Sequence, residues 1–146
     1  MTGDCSSQVP PYRAQVRWVV DTGSLDASAV RNAALATMHS WGAYVLADDV
    51  ALIVGELAAN AWGRRQPPIV VMIRFEEASI LIEVSDTEPG VIVFSMPEPL
   101  RAHGRGFSIV ASLADEVGLY ADHTGKAVWA RLYFHGPVPA GVPPAA

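Results

Sequence analysis

The sequence predicts a two-layer α/β domain, an α+β sandwich in which a mixed, mostly antiparallel sheet is covered on one face by helices. Three observations predict it. Two β-branched runs, 69–76 and 79–85, are separated only by Glu77-Ala78, a connection short enough to make them an antiparallel hairpin. Two stretches, 25–41 and 47–63, switch to a helical period, and the second is apolar around most of its circumference, as a helix set into a core should be. Further strand-like runs stand at 12–20, at 117–122 and at 127–134. A chain of 146 residues, 51% hydrophobic, suits a single domain with one core.

In order along the chain, residues 1–11 are polar, end in Pro10-Pro11 and read as a disordered leader. Tyr12 to Val20 is rich in aromatic and β-branched residues and reads as an edge strand. From Leu25 the residues Leu25, Ala29, Ala33, Ala36 and Trp41 form a helical face, with Ser24 or Asp26 as cap and Gly42 as stop. The helix at 47–63 has Asp48 and Asp49 near its start, where the dipole favours a carboxylate. In the hairpin that follows, Arg74 and Glu83 interrupt the apolar pattern at alternate positions, so one sheet face is the wetter. Residues 86–103 have no clear period and read as a long loop of the kind that forms lids or binding sites. A third helix opens at Gly104-Arg105-Gly106 and runs to Asp115, with Phe107, Val110, Ala111 and Ala114 on its packing face. A His123-Thr-Gly125 turn joins the last two strands. The domain thus covers 12–135, and 136–146 is a proline-rich flexible tail.

Composition narrows the function classes. The net charge is −5 with no basic stripe, which argues against nucleic acid as a partner. Nine of the ten basic residues are Arg, with Lys126 the exception, a bias that fits a GC-rich genome more than a chemical need. The lone Cys5 sits in the polar leader, which suits a reducing compartment and argues against cysteine catalysis. His39, His103, His123 and His135 lack ligand spacing, so no zinc site is expected. No apolar run is long enough to span a membrane and the N-terminus lacks a secretory pattern, so a cytoplasmic protein is expected.

The chemistry is concentrated in the second helix. Asp49, Glu56 and Asn60 are spaced seven and four residues apart, which places them on one stripe. A solvent-facing stripe on an ordinary amphipathic helix is the competing reading. Later in the chain Gly104-Arg105-Gly106 opens a helix after a long loop, an arrangement in which backbone N–H groups and the helix dipole can approach a phosphate. Alone, that motif is equally a loop running into a helix start.

Taken together, the order of these features resembles the GHKL ATPase and kinase superfamily with the Bergerat ATP-binding fold, and within it the short single-domain anti-sigma-factor serine kinases. The likeness covers about 12–134. Asp48-Asp-Val-Ala-Leu and Glu56-Leu-Ala-Ala-Asn60-Ala match that family's N box, and Ile80-Leu-Ile-Glu-Val-Ser-Asp86 the strand before its first glycine box. Gly104-Arg-Gly-Phe-Ser-Ile-Val110 matches the second glycine box, and Gly125-Lys-Ala-Val-Trp129 the terminal motif. The resemblance implies ATP and Mg²⁺ as cofactors. It implies that Asn60 supplies an oxygen to Mg²⁺, that Glu56 is the general base for a serine hydroxyl, and that Asp86 accepts a hydrogen bond from the adenine amino group. Gly90, Gly104, Arg105 and Gly106 would complete the nucleotide site. The implied partners are a sigma factor and an antagonist protein, and a homodimer is left open. Three positions depart from the pattern: Glu88 stands where the first glycine box, Asp86-Thr-Glu88-Pro-Gly90, would have its first glycine, Arg64 where a His is often found, and Ala127 where a Thr is often found. They keep open a second reading, a regulatory module that binds nucleotide but acts only by docking a protein.

Overall fold

The computed structural model describes residues 12–20, 27–63, 69–86, 104–122 and 125–140; of these, the side chains of 27, 60–63, 86, 104–107, 120–122, 125 and 126 lie outside the described set. Five strands, β1 (Tyr12–Val20), β2 (Ile69–Glu76), β3 (Ser79–Asp86), β4 (Glu116–Asp122) and β5 (Gly125–Tyr133), form one sheet in the order β1-β2-β3-β5-β4. Three helices, α1 (Ala27–Ser40), α2 (Tyr44–Gly63) and α3 (Gly104–Leu113), lie against it. Every strand pairing is antiparallel, so the sheet expected to be mixed is antiparallel throughout the described strands. β1 lies at the edge, as its composition predicts. Among the described residues no helix is long and apolar enough to cross a membrane. The leader 1–11, the turn at 21–24, Asp26 and the loop 87–103 lie outside the described residues.

Alternation along each strand sorts the side chains between two layers. Ile69, Val71, Ile73 and Phe75 of β2, Ile80, Ile82 and Val84 of β3, and Val128, Ala130 and Leu132 of β5 join the core beneath the helices. The intervening residues point to the helix-free face, which is closed by its own long side chains. There Arg74 Nε donates to Gln15 Oε1 at 2.8 Å. Trp129 lies across Gly118 on the neighbouring strand, so closely that a Cβ on Gly118 would meet the indole at 2.5 Å. Arg74 and Glu83, the polar interruptions in the hairpin, both belong to this face and are half-buried.

α2 is the central helix, packed between α1 and α3 and over β2, β3 and β5. Ala47, Val50, Val54, Leu57 and Ala58 are its buried side. It begins at Tyr44, a turn before the expected start. The reason lies in the preceding turn. Gly42, at φ 72°, ends α1, with its N–H donating to His39 O and that of Ala43 to Met38 O at 2.9 Å, and the chain re-enters a helix at once. The expected face of α1 is also displaced. Val30, Ala34, Met38 and Trp41 are buried, whereas Ala36 is exposed, because the larger Val and Met side chains have more apolar surface to bury than the alanines do. In α3, Val110 is buried and Leu113 and Ala114 pack on the core, but Ala111 is exposed and the side chain of Phe107 lies outside the described set. Beyond β5 the chain continues against the body. Phe134 stacks on Phe75, Val138 packs on the core and Pro139 lies 3.9 Å from the position a Cβ would take on Gly42. The first residues of the segment read as a tail are therefore seated on the α1–α2 turn.

Candidate functional site

The topology carries separate stretches of sequence to one end of the domain. Asn60 is three residues before the end of α2, and the chain re-enters the sheet at Ile69, the register partner of Asp86 at the end of β3. Asp86 is paired on its other side with Lys126, at the start of β5. Its register position continues the alternate series Ile80, Ile82, Val84 that faces the helices. The last turn of α3 leads to Asp115, which is held at the opposite end of the sheet: its N–H donates to Arg131 O at 2.9 Å and its Oδ2 accepts from Tyr133 N–H at 2.8 Å. With its C-terminus anchored there, α3 has its first turn, Gly104 to Gly106, away from that anchor. The N-terminal turn of a helix presents unpaired N–H groups and the positive end of the dipole.

Glu56 is one helical turn before Asn60 on α2. It is half-buried and forms no hydrogen bond or ion pair among the described residues. A carboxylate with no partner among the described residues, on a helix whose other side is core, can accept a proton from a group brought to it. The side chains of Asn60, Asp86, Arg105 and Lys126 lie outside the described set, as do the whole of Gly90, Glu88 and Arg64. The third departure is placed: Ala127 is 1% exposed and in register with Ser85. It belongs with Trp129 and Arg131 to the series on the helix-free face, so the missing hydroxyl is on the other side of the sheet from the Val84–Asp86 series.

Mg²⁺ keeps most of its waters and takes few protein ligands besides phosphate oxygens, so one amide position on α2, near a carboxylate with no partner among the described residues, would be an adequate protein contribution to an Mg·nucleotide site.

Two features were not singled out by the sequence. Arg31 of α1 lies over Gly55, with its Cδ 3.3 Å from where a Cβ would stand. A glycine inside a helix costs about 1 kcal/mol relative to alanine, and that cost was the signal of a close approach. Beside this contact a hollow of about 330 Å³ opens on the α1–α2 seam, bordered by Arg31, Asn32, Leu35, Asp48, Asp49 and Leu52 among others. The second is a buried ion network at the far end of the sheet. Glu76, 6% exposed, accepts from Arg131 Nε at 2.8 Å and Nη2 at 3.1 Å and from Ser79 Oγ at 2.6 Å, while Arg131 Nη1 donates to Glu116 at 3.1 Å. Burial alone raises the Glu76 pKa, but the hydrogen bonds from Arg131 and Ser79 and the charges of Arg131 and Arg74 outweigh it and hold the carboxyl below its ordinary value. The same bond to Glu76 leads in raising Arg131, against desolvation.

A family model described as a histidine kinase-like ATPase domain matches residues 7–132. No curated protein matches the chain. The match covers most of the 146 residues and contains α2, the end of β3 and the first turn of α3. The chain belongs to the histidine kinase-like ATPase domain family, a membership that implies ATP binding.

Proposed function

We propose that the protein is an ATP-dependent serine kinase of the anti-sigma-factor type, a cytoplasmic regulator that phosphorylates an antagonist protein and in its other state sequesters a sigma factor. What supports this reading is that α2, which bears Glu56 and Asn60, packs both on β3, which ends at Asp86, and on α3, which opens at Gly104 to Gly106, in a fold whose family binds ATP. Glu56 accepts the serine proton as the hydroxyl oxygen bonds to the transferred phosphorus and the bond to the ADP oxygen breaks. Asn60 contributes an oxygen to Mg²⁺ and Asp86 reads the adenine amino group. Gly104, Arg105 and Gly106, with Gly90, hold the phosphates, and Arg105 stabilises charge on the group in transit. Positioning and charge neutralisation are most of what phosphoryl transfer asks of a protein. The partners would be a sigma factor and its antagonist.

Glu88, a negative side chain in place of a box glycine, favours a second reading in which nucleotide is bound and the protein acts by docking alone. Glu56→Ala separates the two. Loss of phosphate transfer to an antagonist with Mg·ATP binding retained supports the kinase. Tight ATP binding with no transfer by the wild type to any antagonist supports docking alone.

A further inference from the structure

Because α2 starts at Tyr44, Asp48 and Asp49 stand in its second turn. The favourable field of a helix N-terminus fades within the first turn, so the dipole does not account for two adjacent carboxylates there. Neither makes a hydrogen bond or ion pair among the described residues, and both border the hollow on the α1–α2 seam, whose apolar lining includes Leu35 and Leu52. Arg31 borders the same hollow without pairing with them, its stem instead lying over Gly55, next to Glu56. The seam is therefore a dipolar groove, with the two carboxylates toward the start of α2 and the basic Arg31, its stem over Gly55, toward Glu56.

Its length sets a spacing. Asp49 and Glu56 are seven residues, about 10 Å, apart along the helix axis. An extended chain advances about 3.3 Å per residue, so three residues cover that distance.

We propose that the polypeptide presenting its serine hydroxyl to Glu56 lies extended along the α1–α2 seam and sets a Lys or Arg, three residues from that serine, against Asp48 and Asp49. The proposal rests on the kinase reading and adds the substrate feature that reading lacks. Arg31, whose stem lies over Gly55, disfavours a second basic residue next to the serine.

The test uses the full chain with Mg²⁺ and a non-hydrolysable ATP analogue. Fluorescein-labelled peptides carry a central serine and either Arg or Glu at the third residue before or after it. Binding is read by fluorescence anisotropy, and a parallel assay with ATP reads phosphate incorporation. One of the Arg peptides should bind about five-fold more tightly than its Glu counterpart at low salt, a preference that weakens as salt is raised. The double variant Asp48→Lys/Asp49→Lys should reverse the preference, and the milder Asp48→Asn/Asp49→Asn, which serves if the first fails to fold, should abolish it. Equal binding of all peptides, no binding of any, or a preference that survives both double variants overturns the proposal. Incorporation without a basic preference rejects the groove and keeps the kinase, whereas a preference without incorporation keeps the groove and rejects the kinase.

Discussion

The two ends of the sheet treat their charges in opposite ways. Where β2 turns into β3, Glu76, Ser79, Arg131 and Glu116 satisfy one another across four strands, and the carboxyl of Glu76 is held ionised by its partners. Toward the Asp86 end, Glu56 on α2 has no partner among the described residues. A buried carboxylate whose oxygens are occupied by neighbours holds the fold together. A half-buried one with no partner among the described residues is available to meet a group brought to it.

If the comparison holds, substitutions at the two ends should divide cleanly between activity and stability. The largest effect should come from Glu56→Gln, which removes the base and should lower phosphate transfer about 10²- to 10⁴-fold while the melting temperature stays within a degree or two of wild type. At the clamp the pattern inverts. Glu76→Ala leaves Arg131 half-buried beside an empty pocket and should cost about 3 kcal/mol, a drop of roughly 6–12 °C in melting temperature, with Mg·ATP affinity unchanged at temperatures where the variant is folded.

The clamp should also be sensitive to acid. The folded pKa of Glu76 lies below its unfolded value, so its contribution is fully present above the unfolded pKa, near 4.5, and is lost as pH falls through the folded pKa. Denaturant titrations should therefore show the gap between wild type and Glu76→Gln to be constant from pH 7 to about 5.5 and to shrink at lower pH. A gap independent of pH would mean that Glu76 acts through packing alone.

Smaller effects test the scaffold that holds the two ends apart. Gly118→Ala drives a methyl into the rigid indole of Trp129 and should cost about 1–3 kcal/mol. Gly42→Ala, at φ 72°, should cost about 1 kcal/mol by straining the reversal between α1 and α2. Both are read from chemical denaturation midpoints.

The strands were legible because their signals are local. Runs such as Ile69–Glu76 are half β-branched and almost wholly apolar as far as Phe75, and the Glu77-Ala78 connection leaves the chain one way to turn. The boundary of α2 was missed because Tyr44 and Val45, the latter 77% exposed, look like neither a cap nor a core turn. The start is fixed by the left-handed Gly42 behind it. The expected face of α1, through Ala29, Ala33 and Ala36, lies one to two residues from the buried Val30, Ala34 and Met38, because alanines carry little apolar surface to set a face. At the site, the spacing of Glu56 and Asn60 is a property of one helix and could be read directly. That α2 packs on β3 and on α3 depends on the tertiary arrangement, which no local period encodes, and the expectation that Asp86 and Gly104 join Glu56 and Asn60 came from resemblance alone. The pairing of Glu76 with Arg131, 55 residues apart, had no sequence signal at all.

The division between a structural and a nucleotide end is tested most directly by calorimetric titration of Mg·ATP into wild type, Asp86→Asn and Glu76→Gln. The account predicts binding by wild type and by Glu76→Gln with closely similar affinity, and loss of at least ten-fold in Asp86→Asn. Equal binding by all three, or no heat of binding to the folded wild type, would contradict it.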